Sequence, residues 1–245
     1  MRGPFESAVF PAVLSELARK TGLDVSELRR LATRENLERQ RDSKELAVRA
    51  MDWDDIFSAV AERFGVKLET RAVEIARQHA GPPDSAILED ADQHLKQLAS
   101  WQRAIVIATK GLGKYQLPVL NALGLTPLFT DILTPDVNNA LKNDLAFYGR
   151  WPASTRLQIS VGDHYEDDVV APKQFGFKAI WKVGTPDEEA SELLANVKSS
   201  AQLRKLDPFE RPLNFQYAQR QTVRPDAIIF SLRELREVVE RLESQ

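Results

Sequence analysis

The sequence has 245 residues, of which 43% are hydrophobic and 28% charged, and its formal net charge is −3. This composition is typical of a globular protein with a substantial core, in one domain or two. The small net charge gives no reason to expect a nucleic-acid or membrane partner, and the absence of cysteine excludes disulfides and thiolate catalysis. Apolar runs have the length of strands and no signal-peptide pattern is present, so the expected location is the cytoplasm.

The first hundred residues show helical periodicity and no convincing strand. Apolar residues recur at three- and four-residue spacing, which is typical of amphipathic helices. Asp24 or Ser26 can cap one of these helices, and Asp52 or Asp54 can cap a later one. We therefore predict that residues 1–100 form a helical domain.

From residue 101 onward, strand patterns alternate with helix patterns. The predicted strands are, in chain order, 103–109, 131–135, 157–163, 178–183 and 227–230. An amphipathic helix is predicted at the C-terminus. Strands that alternate with helices indicate parallel βαβ units, so the predicted fold class is α/β. Residues 184–223 interrupt the alternation and are predicted to be an insertion with one helix.

Chemically useful groups follow the ends of the predicted strands, where an open α/β sheet forms its ligand site. The first strand ends at Thr109, Lys110 and Gly111, whose hydroxyl and backbone amides could cradle an anion. Lys142, between the second and third strands, could balance the charge of a phosphate. The plainer alternatives are that Thr109 only caps a helix and that Lys142 is one surface lysine among many.

Four acids follow the third strand: Asp163, Glu166, Asp167 and Asp168. Asp163 and one later acid offer the hard oxygen ligands that suit Mg²⁺. Alternatively, Asp163 caps the next helix and the other acids favour the positive end of its dipole. A metal, a hydroxyl and an ammonium at neighbouring strand ends indicate a phosphoryl-transfer site that takes a small phosphorylated substrate.

Three segments resemble motifs of the haloacid dehalogenase superfamily of hydrolases. AIVIATKG resembles the second motif, Lys142 resembles the lysine of the third, and SVGDHYEDDVV resembles the fourth, with its Gly-Asp and a later second Asp. The resemblance implies a Rossmann-like parallel sheet core at 101–245 with an N-terminal helical cap domain at 1–100. It also implies Mg²⁺ and hydrolysis through a phospho-aspartyl enzyme.

The resemblance assigns roles to five residues. Thr109 and Lys142 would be catalytic, and together with Lys110 they would bind the phosphoryl oxygens, while Lys142 would also steady the nucleophile. Asp163 and Asp168 would hold Mg²⁺. The dehalogenase branch of the family uses no metal, so the acidic pair implies a phosphatase. The two other acids of the cluster would be solvated or would favour the helix dipole.

The nucleophile implied by the resemblance has no clear candidate. The family opens with a strand ending in Asp-x-Asp, and the Asp-x-Asp at Asp52-Trp53-Asp54 follows no strand pattern and fits a helix cap. We expect the first motif to lie upstream of Met1 or to have been lost. In the family this strand separates the second-motif and fourth-motif strands, so its absence would open two unpaired edges.

Other features do not support a different site. The segment KGLGKY lacks the Gly and the Ser or Thr that a P-loop requires. His79 and His94 have no partner acids at ligand spacing and are expected to be ordinary surface histidines, and His164 borders the acidic cluster but is not expected to be a ligand.

Two alternative functions stay open. One is a catalytically inactive relative that binds a metal, a phosphorylated ligand or a protein partner. The other is a phospho-accepting signalling receiver, for which the order Thr, Lys, acids along the chain is unfavourable.

Overall fold

The structure, a computed structural model, describes residues 1–42, 44–99, 103–153, 156–183, 205–211 and 223–245. Its helices are α1 Phe10–Thr21, α2 Val25–Arg41, α3 Lys44–Arg49, α4 Trp53–Glu62, α5 Ala72–Gln78, α6 Ala91–Ala99, α7 Gly113–Ala122, α8 Pro135–Asn138, α9 Ala171–Gln174 and α10 Leu235–Glu243. Its strands are β1 Val106–Ala108, β2 Asp131–Leu133, β3 Ile159–Gly162, β4 Lys178–Lys182 and β5 Ala227–Ile229. No helix within these ranges is long and apolar enough to cross a membrane.

The chain divides into two compact units, each made of two stretches. The first unit is Met1–Leu88 with Ala104–Leu141, and the second is Glu89–Arg103 with Lys142–Gln245. The predicted division into a cap at 1–100 and a core at 101–245 stays a prediction, and most of the predicted insertion lies outside the described residues.

The first unit begins with the predicted helices, whose ends have identifiable causes. Helix α1 ends at Gly22, which adopts the left-handed conformation with φ of +75°. Asp24 then caps α2 by accepting a hydrogen bond of 2.7 Å from the backbone N–H of Ser26. Asp52 caps α4 in the same way through Asp54 N–H. The predicted helix starts at Asp24 and Asp52 are therefore confirmed.

An aromatic cluster forms the centre of the first unit. Phe10 and Trp53 meet edge to face at 4.9 Å between ring centroids, and Phe5 meets Tyr115 in the same way at 5.2 Å. Phe57, which is 1% exposed, packs against both Phe10 and Trp53. Such pairs favour edge-to-face geometry because the ring edge is positive and the face negative. The cluster joins the N-terminal turn, α1, α4 and α7 in one core.

Glu16 is a buried carboxylate that fixes the loop after α4. It accepts hydrogen bonds from the backbone N–H groups of Glu69 (2.9 Å) and Thr70 (2.8 Å) and pairs with Lys20 at 2.8 Å. Burial alone would raise its pKa, but the hydrogen bonds outweigh burial and lower the pKa from 4.5 to about 2. The folded state therefore prefers the ionised form.

We expect Glu16→Gln to lower the free energy of unfolding at pH 7 by about 2 kcal/mol, allowing for solvent screening. Because the folded pKa lies below the unfolded one, this stabilisation is complete above pH 4.5 and disappears as the pH falls toward 2. Urea unfolding of both proteins at several pH values measures the difference. Glu69→Gln is the matched control, since Glu69 pairs with the same Lys20 but is exposed. An equal loss in both variants, or a loss at pH 7 that persists at pH 2, contradicts this account.

All five predicted strands are present and parallel, but they form two sheets. In the first unit β1 pairs with β2, with Val106 opposite Asp131. In the second unit β4 lies between β3 and β5, with Ile159 opposite Lys178 and Ile180 opposite Ala227. The α/β class with parallel strands is confirmed, and the strands are divided between the two units.

The strands β1 and β3 correspond to the two strands that the sequence resemblance expects to have an unpaired edge. Within the described ranges, β1 pairs only with β2 and β3 pairs only with β4. Each of the two strands therefore has one hydrogen-bonding edge without a strand partner in that part of the chain. No described segment supplies a strand that pairs at either edge.

The second unit has its own core around β4. Trp181 is buried and meets Tyr165 edge to face at 5.3 Å between ring centroids. Val169, Ile228 and Phe230 are also buried in this cluster. The C-terminal turn begins with a capping box in which Ser231 and Glu234 bond each other's backbone N–H groups. This core holds β3 and the following acidic segment in place.

Candidate active site

The acidic loop begins where β3 ends. Asp163 follows Gly162 directly, and its backbone carbonyl accepts a hydrogen bond of 3.1 Å from the indole N–H of Trp181 on β4. The Asp163 carboxylate is exposed and makes no hydrogen bond or ion pair with any described residue. The loop is thus anchored through its backbone, and this carboxylate stays available for a ligand.

Lys142 and Asp168 form a buried ion pair. Lys142 Nζ lies 2.6 Å from Asp168 Oδ1, and the two residues are 8% and 6% exposed. Asp168 Oδ2 accepts a second hydrogen bond, 2.9 Å long, from the backbone N–H of His164. Both charges are compensated, as buried charges require. The structure therefore brings together two of the predicted site residues, although 26 positions separate them in the chain.

Gly162 makes room for the Asp168 carboxylate. A Cβ atom at position 162 would lie closer than 3.0 Å to Cβ, Cγ and Oδ2 of Asp168. Real Cβ atoms essentially never approach other atoms so closely. The Gly-Asp pair of the sequence pattern therefore has two separate functions, since Gly162 accommodates one carboxylate and Asp163 supplies the other.

Asp167 and His164 differ in part from expectation. Asp167 was expected to be solvated or to favour the helix dipole, but its Oδ2 lies 2.9 Å from His164 Nδ1. Asp167, Asp168 and Glu166 begin the helical segment Glu166–Val170, where their charges do favour the helix dipole. His164 thus orients the loop through both its ring and its backbone N–H.

Thr109 and Lys110 follow β1 in the first unit, as predicted. Thr109 N–H donates to the carbonyl of Leu133 at 3.0 Å and extends the pairing of β1 with β2 by one residue. The Thr109 hydroxyl accepts a hydrogen bond of 3.2 Å from Gly111 N–H. This is the local turn expected of a strand end, and the half-buried hydroxyl keeps its second lone pair and its proton. Their phosphate-binding roles stay predictions.

The two acids of the Asp52-Trp53-Asp54 segment form hydrogen bonds and ion pairs within the first unit. Asp52 Oδ1 accepts from Lys114 Nζ at 2.7 Å and from the Tyr115 hydroxyl at 2.9 Å, and Asp54 Oδ2 lies 3.3 Å from Lys114 Nζ. Burial alone would raise the pKa of Asp52, but the bonds from Lys114 and Tyr115 hold it below its ordinary value. Burial and the charge of Asp52 raise the pKa of Tyr115, so it stays a neutral donor. These contacts join α4 to α7 and support a structural function.

His79 makes a local contact with an acid. Its Nδ1 lies 2.7 Å from Asp84 Oδ2. The bond from His79 also lowers the pKa of Asp84. This is a local contact between residues five positions apart, so it could have been found by looking beyond ligand spacing.

Asp163 and Asp168 fit Mg²⁺ by the chemistry of their donor atoms. In the described part of the chain no group of three or more His, Asp or Glu residues could hold a metal ion. Mg²⁺ does not require such a group, because it is usually held by one or two carboxylates with water and phosphate oxygens. The unengaged Asp163 carboxylate and the neighbouring Asp168 carboxylate are compatible with that mode.

Solved structures show which fold this architecture represents. The chain resembles a haloacid dehalogenase (HAD) phosphatase from Thermococcus onnurineus, with a TM-score of 0.62, 23% identity, and coverage of 94% of this chain and 87% of that one. It also resembles the magnesium-bound HAD-hydrolase YfnB from Bacillus subtilis, with a TM-score of 0.59, 16% identity, and coverage of 97% and 93%. The chain therefore has the fold of the haloacid dehalogenase hydrolases.

The likeness extends to both branches of that fold. The L-2-haloacid dehalogenase from Xanthobacter autotrophicus, solved with chloropropionic acid covalently bound, matches with a TM-score of 0.56, 17% identity, and coverage of 94% and 93%. No protein-family model matches this sequence, and no curated protein matches it either. At these identities the similarity establishes the fold alone. The reaction has to be argued from the site residues.

Proposed function

We propose that the protein is a Mg²⁺-dependent phosphoester hydrolase whose nucleophilic aspartate comes from a strand that these 245 residues do not contain. The observation that carries the proposal is the acidic loop, where Asp163 follows β3 with an exposed carboxylate that bonds no described residue and Asp168 pairs with Lys142. Two carboxylates suit a hydrolase that uses Mg²⁺ better than they suit a metal-free dehalogenase. Neighbours of both kinds share the fold, and the two acids favour the Mg²⁺-dependent kind.

Each site residue has a distinct function in this proposal. Asp163 and Asp168 hold Mg²⁺, which when bound neutralises charge on the phosphoryl oxygens. Lys142 orients Asp168 and provides a positive charge for the nucleophile and the phosphate. Thr109 and Lys110 bind phosphoryl oxygens through the Thr109 hydroxyl and the local N–H groups. The substrate is a small phosphorylated molecule.

The unpaired edges of β1 and β3 support the proposal that the nucleophile comes from an additional strand. In the described residues no other segment pairs at these edges. The Asp-x-Asp at 52–54 is bonded to Lys114 and Tyr115 and caps α4, so it has a structural explanation. The Asp-x-Asp at 90–92 lies at the start of α6, where Asp92 pairs with Lys96 at 2.9 Å. The same observation favours a second candidate, an inactive relative that binds Mg²⁺ or a phosphorylated ligand.

A p-nitrophenyl phosphate assay with Mg²⁺ tests the proposal in the chain extended by an N-terminal apolar strand ending in Asp-x-Asp. We expect hydrolysis by the extended chain and a raised melting temperature, because the new strand can pair with an open edge. Asp163→Asn should lower activity on the order of 100-fold, since it removes one proposed metal ligand. Glu166→Gln is the matched control in the same loop.

The outcomes separate the candidates. An extended chain with an Asn-x-Asp strand should be stable but inactive if the added aspartate is the nucleophile. Stabilisation of the unextended chain by Mg²⁺, without hydrolysis by either extended chain, supports the inactive relative. No stabilisation by Mg²⁺ and no hydrolysis overturn both.

A further inference from the structure

The side chain of Gln116, near the start of α7, folds back over the turn that follows β1. The position that a Cβ atom would take on Gly111 lies 2.3 Å from Gln116 Nε2, 2.8 Å from its Cδ and 2.9 Å from its Cγ. The carboxamide therefore rests against the backbone of Gly111, in the space that a side chain at position 111 would need.

The same glycine is bonded to Thr109. The backbone N–H of Gly111 donates to the Thr109 hydroxyl oxygen at 3.2 Å. Because both contacts involve Gly111, Gln116 Nε2 lies within about 8 Å of Thr109 Oγ1. One phosphoryl group that accepts hydrogen bonds on two of its oxygens can span a gap of this size. The carboxamide is therefore within reach of a ligand held at Thr109.

The Gln116 carboxamide has unused hydrogen-bonding groups. It forms no hydrogen bond with any residue in the described ranges, although the side chain is half-buried. Fixing a glutamine side chain costs conformational entropy, and here no bond to a described residue offsets that cost. A carboxamide offers two N–H donors and a carbonyl acceptor. A polar ligand at this turn would supply the partners that the amide lacks.

The positive end of α7 is already in use. Asp136 Oδ1 accepts a hydrogen bond of 2.9 Å from the N–H of Gly113, the first residue of the helix. The Asp136 charge therefore compensates the helix end, and a phosphoryl group at Thr109 has to find its further donors elsewhere. The Gln116 carboxamide can provide one without adding charge.

We propose that Gln116 is a ligand-binding residue whose carboxamide donates a hydrogen bond to a phosphoryl oxygen held at Thr109. The inference rests on the proposed function, because it requires that the turn after β1 binds a phosphoryl group. It adds a donor that the sequence resemblance does not assign, since Gln116 lies outside the three motif segments.

Calorimetric titration of the unextended chain with inorganic phosphate, with Mg²⁺ present, tests the proposal. Gln116→Ala should weaken phosphate binding about tenfold, because one hydrogen bond to a charged ligand is lost. Its melting temperature should not fall, since the carboxamide bonds no described residue and Ala favours helices. Thr109→Val is the reference for the turn and should also weaken phosphate binding.

Gly111→Ala provides a second route to the same effect. The added methyl would take the space of the Gln116 carboxamide, which is the far end of a flexible side chain and can move away. We therefore expect Gly111→Ala to weaken phosphate binding in wild type and to have little further effect in Gln116→Ala. Fully additive losses overturn the placement of the carboxamide on which the proposal depends.

Gln40→Ala is the matched control in the first unit. Gln40 Nε2 donates to Asn36 Oδ1 at 2.6 Å, so this carboxamide has a partner within the protein. Its removal should lower the melting temperature and leave phosphate affinity unchanged.

The failures are distinguishable. If Thr109→Val weakens phosphate binding and Gln116→Ala does not, the role of Gln116 is overturned and the proposed function stands. If neither variant changes the affinity, phosphate binds elsewhere, and the phosphate-binding role of Thr109 is overturned as well. A lower melting temperature in Gln116→Ala overturns the inference in favour of a structural role. If wild type binds no phosphate at millimolar concentration, the inference is overturned, and hydrolysis by the extended chain decides the proposed function separately.

Discussion

Gly162→Ala should abolish Mg²⁺ binding and lower the free energy of unfolding by about 2–3 kcal/mol. The added methyl would occupy the space of the Asp168 carboxylate. Asp168 cannot retreat, because its own N–H donates to the carbonyl of His164 at 2.8 Å and its side chain is held by Lys142. Calorimetric titration with Mg²⁺ and urea unfolding measure the two effects.

Gly176→Ala separates this steric effect from an ordinary glycine effect. Gly176 has a φ of +85°, and nothing lies within 4 Å of the position of its added Cβ. Its substitution should cost about 1 kcal/mol through backbone strain and leave Mg²⁺ affinity unchanged. If Gly162→Ala behaves like Gly176→Ala in both measurements, the close approach of Asp168 to Gly162 does not matter for binding.

Lys142→Met should be the most destabilising single change at the site, costing about 3 kcal/mol. Met keeps the volume and the packing of the side chain but leaves the Asp168 charge buried beside one remaining donor, His164 N–H. The double variant Lys142→Met/Asp168→Asn removes that charge and should recover at least half of the loss. Urea unfolding at pH 7 measures all three proteins.

Lys173→Met is the matched control for the loss of a lysine from an ion pair. Lys173 pairs with Asp226 at 2.7 Å, but it is partly exposed and Asp226 keeps Lys178 as a second partner at 3.2 Å. Its substitution should cost under about 1 kcal/mol. If Lys142→Met and Lys173→Met lower the free energy of unfolding equally, burial of the Lys142–Asp168 pair does not affect stability.

Local patterns in the sequence predict the elements of this fold well. The run ending at Gly162 predicts β3 because apolar residues bounded by Gly and Asp are typical of a buried strand end. Asp24 and Asp52 predict helix starts because a short polar side chain can bond the N–H two residues later. In both cases the physical cause acts over a few residues, so it is visible in the sequence.

Contacts between distant residues could not be predicted in the same way. The pairing of Lys142 with Asp168 spans 26 positions, and that of Asp52 with Tyr115 spans 63. The resemblance placed Lys142 and Asp168 at one site without predicting that they pair. Nothing suggested the second contact, since Tyr115 was considered only as a departure from the P-loop pattern.

The division of the sheet also affects how the protein behaves when concentrated. A bare strand edge can pair with the edge of another molecule, and long flat apolar edges promote aggregation. Here β1 has three residues and β3 has four, so each offers few backbone groups to an intruding strand. Val161 on β3 and Leu157 just before it are exposed apolar side chains that would favour such contacts. We therefore expect the short strands to limit self-association through the edges that no described strand covers.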